Sequence, residues 1–329
     1  MSKIVTIYGG SGFVGRYIAR RIAKEGWRVR VAVRRPNEAI FVKPYGAVGQ
    51  VEPVLCNIRD DASVRAAMHG ADAVVNCVGI LAPSGKNGFD AVQHEGAERI
   101  ARLAREEGVA HLVHVSAIGA DKDSDSSYAQ TKALGEEGVL ENFPHAVILR
   151  PSIVFGPEDD FFNRFASMSR FGPVLPVVGA DTKFQPVYVD DVAQAAVQGI
   201  LGRAAAGTYE LGGPEVATFR ELMHTMLDVV RRRRLIVNIP FFVASIMGTS
   251  FDILKAVSGG LIAGPLTRDQ VRNLAKDNVV ADGAKGFADL NIEPTALEAI
   301  LPNYLWRFRP SGQYDAIKES ARNLRSDHE

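Results

Sequence analysis

Along the first 150 residues, short β-branched runs alternate with stretches whose apolar residues recur at helical spacing. The runs 3–8, 28–33, 52–56, 73–78, 111–116 and 146–149 are expected as strands. The intervening stretches 13–24, 61–68, 91–107 and 128–141 are expected as helices. Residues 73–78 and 147–149 carry no charge, the pattern of strands covered on both faces, which parallel sheets require. The alternation predicts an α/β fold: a doubly wound parallel sheet of Rossmann type with right-handed crossovers.

The pattern changes after Arg150-Pro151, where prolines and glycines crowd 155–179 and the alternation lapses. A dinucleotide-binding domain over 1–150 is therefore expected, its sheet completed by parts of 151–215. A smaller α/β C-terminal domain should span 151–310, followed by a polar tail over 311–329 that is extended along a partner or loose. The uncharged apolar run 235–251 has 17 residues broken by Asn238 and Pro240. A spanning helix needs about 20, so the run is expected to form one or two short amphipathic helices, continued by the apolar pairs up to Leu261-Ile262.

Charge alters this picture. Lysine plus arginine is 38 and aspartate plus glutamate is 38, a balance that argues against a nucleic-acid-coating protein. Yet 231–276 holds eight basic and two acidic residues, a net of +6. Four consecutive arginines, Arg231 to Arg234, beside an apolar run read as an interfacial anchor on anionic lipid. The alternative is a helix capping the second domain, with its charges solvated. Residues 304–310 are similarly aromatic and basic and are expected to dock on a partner. Two cysteines exclude a disulfide framework and a four-thiolate cluster, and the seven histidines show no metal-ligand spacing. No metal is expected. The opening residues show neither a signal peptide nor a transit peptide, so a soluble or membrane-surface protein is expected.

The first strand runs into Gly9-Gly10-Ser11-Gly12-Phe13-Val14-Gly15, which opens the first helix. In this context Gly9 makes a tight turn, Gly12 lets backbone amides approach a pyrophosphate, and Gly15 lets helix and strand pack closely. The pyrophosphate then sits on the helix N-terminus. An NAD site places an acid at the tip of the second strand, whereas here that strand ends in Arg34-Arg35. Two guanidinium groups suit a 2′-phosphate, so NADPH is the expected cofactor. Asn57 and Ile58 are expected beside the adenine, with Cys77, Val78 and Gly79 bringing backbone close to the cofactor.

Tyr128 and Lys132 stand four apart on one helix face. In such a pair the ammonium lowers the phenol's pKa, and Ser116, ending the fifth strand, is placed to orient a substrate oxygen. Together with Leu149-Arg150-Pro151-Ser152-Ile153, residues 186–193 and Tyr209-Glu210-Leu211-Gly212-Gly213-Pro214, these motifs resemble an extended or atypical short-chain dehydrogenase/reductase over roughly 3–230. That resemblance implies Tyr128 and Lys132 near the nicotinamide, with Pro151 and Ile153 also against the cofactor.

Within that superfamily the glycine motif with Arg16, residues 76–81, residues 115–121 and the basic, apolar last third look most like the accessory subunit of respiratory complex I (NADH:ubiquinone oxidoreductase) in its alpha-proteobacterial form. The resemblance implies an NADPH-holding, non-catalytic subunit that stabilises assembly. It would sit beside other complex I subunits near the quinone site, peripheral on the cytoplasmic face of the bacterial inner membrane. Tyr128, Lys132 and Ser116 would then be vestigial or of low activity. The short, polar connection 121–127 leaves little room for a substrate-shaping loop. The alternative is a free NADPH-dependent reductase or sugar-nucleotide epimerase using the same three residues.

Overall fold

Val5 and Ile7 of the first strand face one way and Thr6 and Tyr8 the other, and all four are buried. A strand with two covered faces has to lie inside a sheet, and this one lies near its middle. The computed structural model describes residues 2–83, 85–257, 267–310, 312 and 314. Its main sheet contains β1 (Ile4–Tyr8), β2 (Arg28–Val33), β3 (Val51–Leu55), β4 (Ala73–Asn76), β5 (His111–Val115), β6 (Val147–Pro151) and the strand Gly207–Leu211. In space the order is β3-β2-β1-β4-β5-β6, with Gly207–Leu211 beside β6 and every pairing parallel. The order reverses between β1 and β4, the switch point where open α/β sheets bind ligands.

Helices α1 (Phe13–Lys24), α2 (Asp61–Met68), α3 (Glu95–Glu106) and α4 (Ser127–Asn142) connect these strands. Ile18 and Ile22 of α1, with Val192 and Ile200 of the helix Val189–Ile200, cover the face bearing Val5, Ile7, Val29 and Val31. On the other face Val64, Met68, Ile100, Leu103 and Val139 pack against Tyr8, Val74 and Leu112. The Tyr8 hydroxyl donates to Val64 O at 2.7 Å and Thr6 Oγ1 to Ala67 O at 2.9 Å, so the polar groups of β1 are satisfied inside the core.

The expected helix 91–107 is not uniform. A single π turn, Asp90–His94, precedes α3. A Cβ on Gly135 of α4 would lie 2.1 Å from Gln93 O, so the widened turn rests on a glycine with no side chain to obstruct it.

A second core gathers Phe155, Phe162, Phe184, Phe219, Met223 and Met226 around Leu297, Leu301 and Leu305. The preceding Phe287, Leu290 and Ile292 are buried in the core of the main sheet. The run 235–251 departs from its expected form. Leu235–Ile239 is a strand, paired in parallel with Val174–Val178, and only Phe241–Val257 is helical. Pro240 marks the change, since it has no amide for the ladder and is tolerated at a helix start. Leu261 and Ile262 lie outside the described residues.

Nor is the arginine run uniformly outward. Arg232 Nε donates to Phe308 O at 3.0 Å and Arg234 Nε to Ser169 O at 2.7 Å, so both are structural staples. Arg231 and Arg233 are exposed. Residues 304–310 also turn inward in part, with Tyr304 and Leu305 in the second core and the Tyr304 hydroxyl on Asp159 at 2.5 Å. The expected tail lies outside the described residues apart from Gly312 and Tyr314. Among the described residues no helix is long and apolar enough to cross a membrane, and no group of three or more metal-ligating side chains forms.

Candidate functional site

The glycine loop lies at the switch point. Gly9 has φ +74°, a conformation that favours glycine, and Gly12 N donates to Gly9 O at 2.9 Å to close the turn. A Cβ on Gly15 would lie 2.5 Å from Gly9 O, so close packing of α1 on the loop requires this glycine. No side chain caps α1 at Gly12. Its first-turn amides at Phe13, Val14 and Gly15 are thus suited to an anion, as a pyrophosphate needs. Arg16 braces the loop from below, Nε to Gly12 O at 3.2 Å and Nη2 to Ser11 O at 3.1 Å, while its guanidinium stacks over Phe41. Gly10, inside the turn, would place a Cβ 3.0 Å from Ile7 O.

At the tip of β2, Ser11, Val33, Arg34, Arg35 and Glu38 line one cavity of about 370 Å³. The expectation of a tip without a carboxylate needs correction. Glu38 follows in the turn Pro36–Tyr45 and pairs with Arg35 at 2.9 Å. Arg34 is exposed and makes no hydrogen bond or ion pair among the described residues. Its guanidinium is the uncommitted cation at this cavity, and Arg35 is shared with Glu38.

In the turn after β3, Asn57 Oδ1 accepts from Arg59 N at 3.2 Å, and Asn57 N donates to Ser63 Oγ at 2.9 Å. Ile58 is buried, and its side chain packs on Gly96 of α3. Asn57 therefore shapes the turn after β3, and Ile58 supports it from the core. After β4, Asn76 Oδ1 accepts from Val78 N at 3.0 Å, and Asn76 Nδ2 lies 3.1 Å from His114 Nδ1. Burial pushes His114 down to about 3, so the ring is neutral and its Nδ1 accepts from the amide. This chain fixes the turn through Cys77, Val78 and Gly79. The Cys77 thiol is pushed up to about 12 by burial, so it is not a thiolate.

Lys132 and Ser116 are buried and Tyr128 is half-buried. The geometry overturns the expected activation of the phenol. Lys132 Nζ donates to Val115 O at 3.1 Å, and no hydrogen bond joins it to the Tyr128 hydroxyl. Burial raises the phenol to about 12 and lowers the ammonium to about 8, against weaker opposing effects of Glu136 and Cys77 on the lysine. Tyr128 instead packs edge-on against Phe89, ring centres 6.0 Å apart.

Three buried atoms nearby lack partners among the described residues, Ser116 Oγ, Gln93 Oε1 and His114 Nε2. A Cβ on Gly79 would lie 3.5 Å from Lys132 Nζ and 3.8 Å from Gln93 Oε1, so these groups converge on bare backbone. Such a set suits the hydroxyls and amide of a nicotinamide riboside, and it costs stability when nothing bonds it. Gln93 was missed in the sequence because only the π turn points it inward. Pro151 ends β6 in the core, and Ile153 is half-buried two residues on.

One element was not anticipated. The segment 267–280, containing the helix Arg268–Leu274, crosses the carboxyl ends of β5 and β6. Asp269 accepts from Ser127 N at 2.8 Å, Tyr128 N at 3.3 Å and Ser126 Oγ at 3.0 Å. Asn278 accepts from Ser152 Oγ at 2.7 Å and donates from its side chain to Ile118 O at 3.4 Å.

A parallel α/β sheet with a glycine turn at its switch point and unpartnered polar groups beside it defines a dinucleotide-binding protein. The chain belongs to the NAD dependent epimerase/dehydratase family, which matches residues 5–212. It is 35% identical to NADH dehydrogenase [ubiquinone] 1 alpha subcomplex subunit 9, mitochondrial, of Arabidopsis thaliana, over 94% of this chain and 79% of that protein. It is 32% identical to the NADH-ubiquinone oxidoreductase 40 kDa subunit, mitochondrial, of Neurospora crassa, over 98% of this chain and 84% of that protein. Among solved structures, an NADPH-dependent quinone oxidoreductase of Escherichia coli complexed with NADPH superimposes with a TM-score of 0.69. That pair is 16% identical, over 92% of this chain and 98% of the other, a likeness of fold alone.

Proposed function

We propose that the chain is an NADPH-holding accessory subunit of respiratory complex I that stabilises the assembly and does not turn over a substrate of its own. The observation that carries this is the reach of the likeness. The family match ends at residue 212, whereas the similarity to two complex I subunits runs through the last third as well.

The site supports a holding role. Gly9, Gly10, Ser11, Gly12, Phe13, Val14 and Gly15 would cradle the pyrophosphate, Arg34 and Arg35 the 2′-phosphate, and Lys132, Gln93 and Ser116 the nicotinamide riboside. Cys77, Val78, Gly79, Pro151 and Ile153 would line it, with Asn57 and Ile58 shaping the adenine end. A bound nicotinamide would supply hydride chemistry. Tyr128 is poorly placed to move the matching proton, because its phenol is raised by burial and lacks a bond from Lys132. In this reading residues 1–150, completed by the strand Gly207–Leu211, form the cofactor domain, and 151–310 the smaller docking domain.

The docking face is apolar. Val174, Pro176, Leu235 and Val237 are exposed and alternate with the buried Leu175, Val177 and Ile236. The helix Phe241–Val257 adds Phe242 at 69% and Ile246 at 65% exposure. With Arg231 and Arg233 at its margin, this face suits an anionic lipid surface and neighbouring subunits near the quinone site, on the cytoplasmic side of a bacterial inner membrane. Solubilising membranes and isolating the native chain tests the assignment. It should travel with the flavin and iron–sulfur subunits of complex I. Recovery as a free protein that oxidises NADPH with a small carbonyl would favour the reductase reading instead.

A further inference from the structure

The segment 267–280 joins the dinucleotide site to the apolar docking face, and Asp269 makes its contact with the helix amides. The first-turn amides of α4, the helix that carries Tyr128 and Lys132, are closed from a segment 141 residues away in sequence. Asp269 takes the amides of Ser127 and Tyr128, and also the hydroxyl of Ser126, whose Oγ in turn accepts from Ala129 N at 3.4 Å. A carboxylate on helix amides gains from both charge-assisted bonding and the helix dipole.

The helix bearing Asp269 is also seated on the docking element. Gly248 of the helix Phe241–Val257 would bring a Cβ within 2.8 Å of Arg268 N, so the two helices touch at backbone distance. Val271 and Ala244 share a small buried cluster with Val178 of the strand Val174–Val178. Arg272 Nη1 to Asp125 O at 2.5 Å, Lys276 Nζ to Ser124 Oγ at 3.5 Å and Thr182 Oγ1 to Leu274 O at 2.7 Å hold the same segment down. The contacts thus run continuously from Phe241–Val257 to Asp269, and from Asp269 to the N-terminus of α4.

We propose that Asp269 is a positioning residue that makes dinucleotide retention and the seating of the docking helices one cooperative event, so that the nucleotide orders the docking face rather than reacting. The inference rests on the cofactor-holding reading above. Because coupling between two sites is reciprocal, the nucleotide has to tighten the helix Arg268–Leu274, and loosening that helix has to release the nucleotide. A cap that served only the stability of α4 would leave the exchange behaviour of Arg268–Leu274 independent of nucleotide.

Two measurements on the full chain test this. Hydrogen exchange on the wild type, with and without saturating NADPH, should show added protection at the amides of Val271 and Arg272, which belong to no part of the nucleotide pocket. This readout needs no variant to fold. In addition, Asp269→Asn should release NADPH about fivefold faster or more when chased with excess NADP+, fivefold being the low end of ordinary couplings between sites. It should also abolish the nucleotide-dependent protection at Val271. Uptake of NADPH by the wild type with no change at Val271 and Arg272, or a folded Asp269→Asn variant with wild-type release, overturns the coupling alone. A wild-type chain that takes up neither NADPH nor NADH overturns the coupling together with the cofactor reading.

Discussion

Lys132 Nζ is bonded to Val115 O at 3.1 Å, and the hydroxyl of Tyr128, one turn earlier on α4, receives nothing from it. The pair is present but is not arranged as an acid and its activator. In the protein without nucleotide the buried ammonium is a cost.

That cost has a pH signature. Lys132 is lowered by burial from 10.5 to about 8. Below about pH 8 both folded and unfolded forms are protonated, and the full penalty, about 3 kcal/mol at 1.36 kcal/mol per decade of acidity, is present. Above that the native form sheds its proton first, the unfolded chain binds more protons, and stability rises until the two meet near pH 10.5. Lys132→Met in the nucleotide-free protein should therefore be more stable than wild type at pH 7, with the gap closing by pH 10. Urea unfolding at the two pH values reads it; an unstable variant at pH 7 would refute the penalty.

Nucleotide choice should follow Arg34 and Arg35. NADPH should outcompete NADH, and replacing both arginines with glutamine should weaken NADPH by about 2–4 kcal/mol, since charge-assisted bonds contribute about 1.5–3 kcal/mol each and less than additively. Glu38→Gln frees Arg35 from an exposed pair and should strengthen NADPH by about 1 kcal/mol or less. Mass spectrometry of the extracted nucleotide and titration of the variants check this; NADH as the sole extracted nucleotide would sink the assignment.

Tyr128→Phe removes the phenolic hydroxyl and with it any capacity to transfer a proton. Proton transfer by a placed acid is worth 10²–10⁴-fold where it operates. Quinone-linked NADH oxidation by the assembled complex should stay within about twofold of wild type, well short of that range. A hundredfold loss with assembly intact would make Tyr128 catalytic.

Phe242→Ser with Ile246→Ser should cut flotation of the isolated chain with anionic liposomes while leaving its melting temperature nearly unchanged. Both side chains are more than 60% exposed, where substitutions usually fall within about 0.5 kcal/mol. Arg233→Gln should weaken the same binding mainly at low salt, because exposed charges are screened over about 8 Å at physiological ionic strength. Wild-type protein that ignores such liposomes at low salt would turn this face over to protein partners alone.

The cofactor half was the more legible in the sequence. β1, β2 and α1 follow periodicity and glycine spacing, which are local properties, and their observed limits fall within a residue of expectation. What escaped notice depends on distant contacts. Gln93 turns inward because the π turn meets Gly135, and a helical pattern does not signal one extra residue in a turn. Glu38 enters the arginine pocket through the fold of Pro36–Tyr45. Asp269 reaches α4 across 141 residues, and nothing in its neighbourhood marks it as a cap. The run 235–251 is uniformly apolar, so its division rests on two local features, the β-branched composition of Leu235–Ile239 and Pro240 immediately after it.

Phe287, Leu290 and Ile292 enter the core of the main sheet, and Leu297, Leu301 and Leu305 complete the second one. Translation therefore sets a schedule. Every strand of the main sheet is made while both cores still lack these six side chains, so the N-terminal unit, which often folds first, receives its last packing from the end of the chain. The last apolar contacts of both cores therefore become available only when residue 305 has been made. A stop codon anywhere before the helix Leu297–Leu305 should send the glycine loop, though intact in the product, to proteolysis.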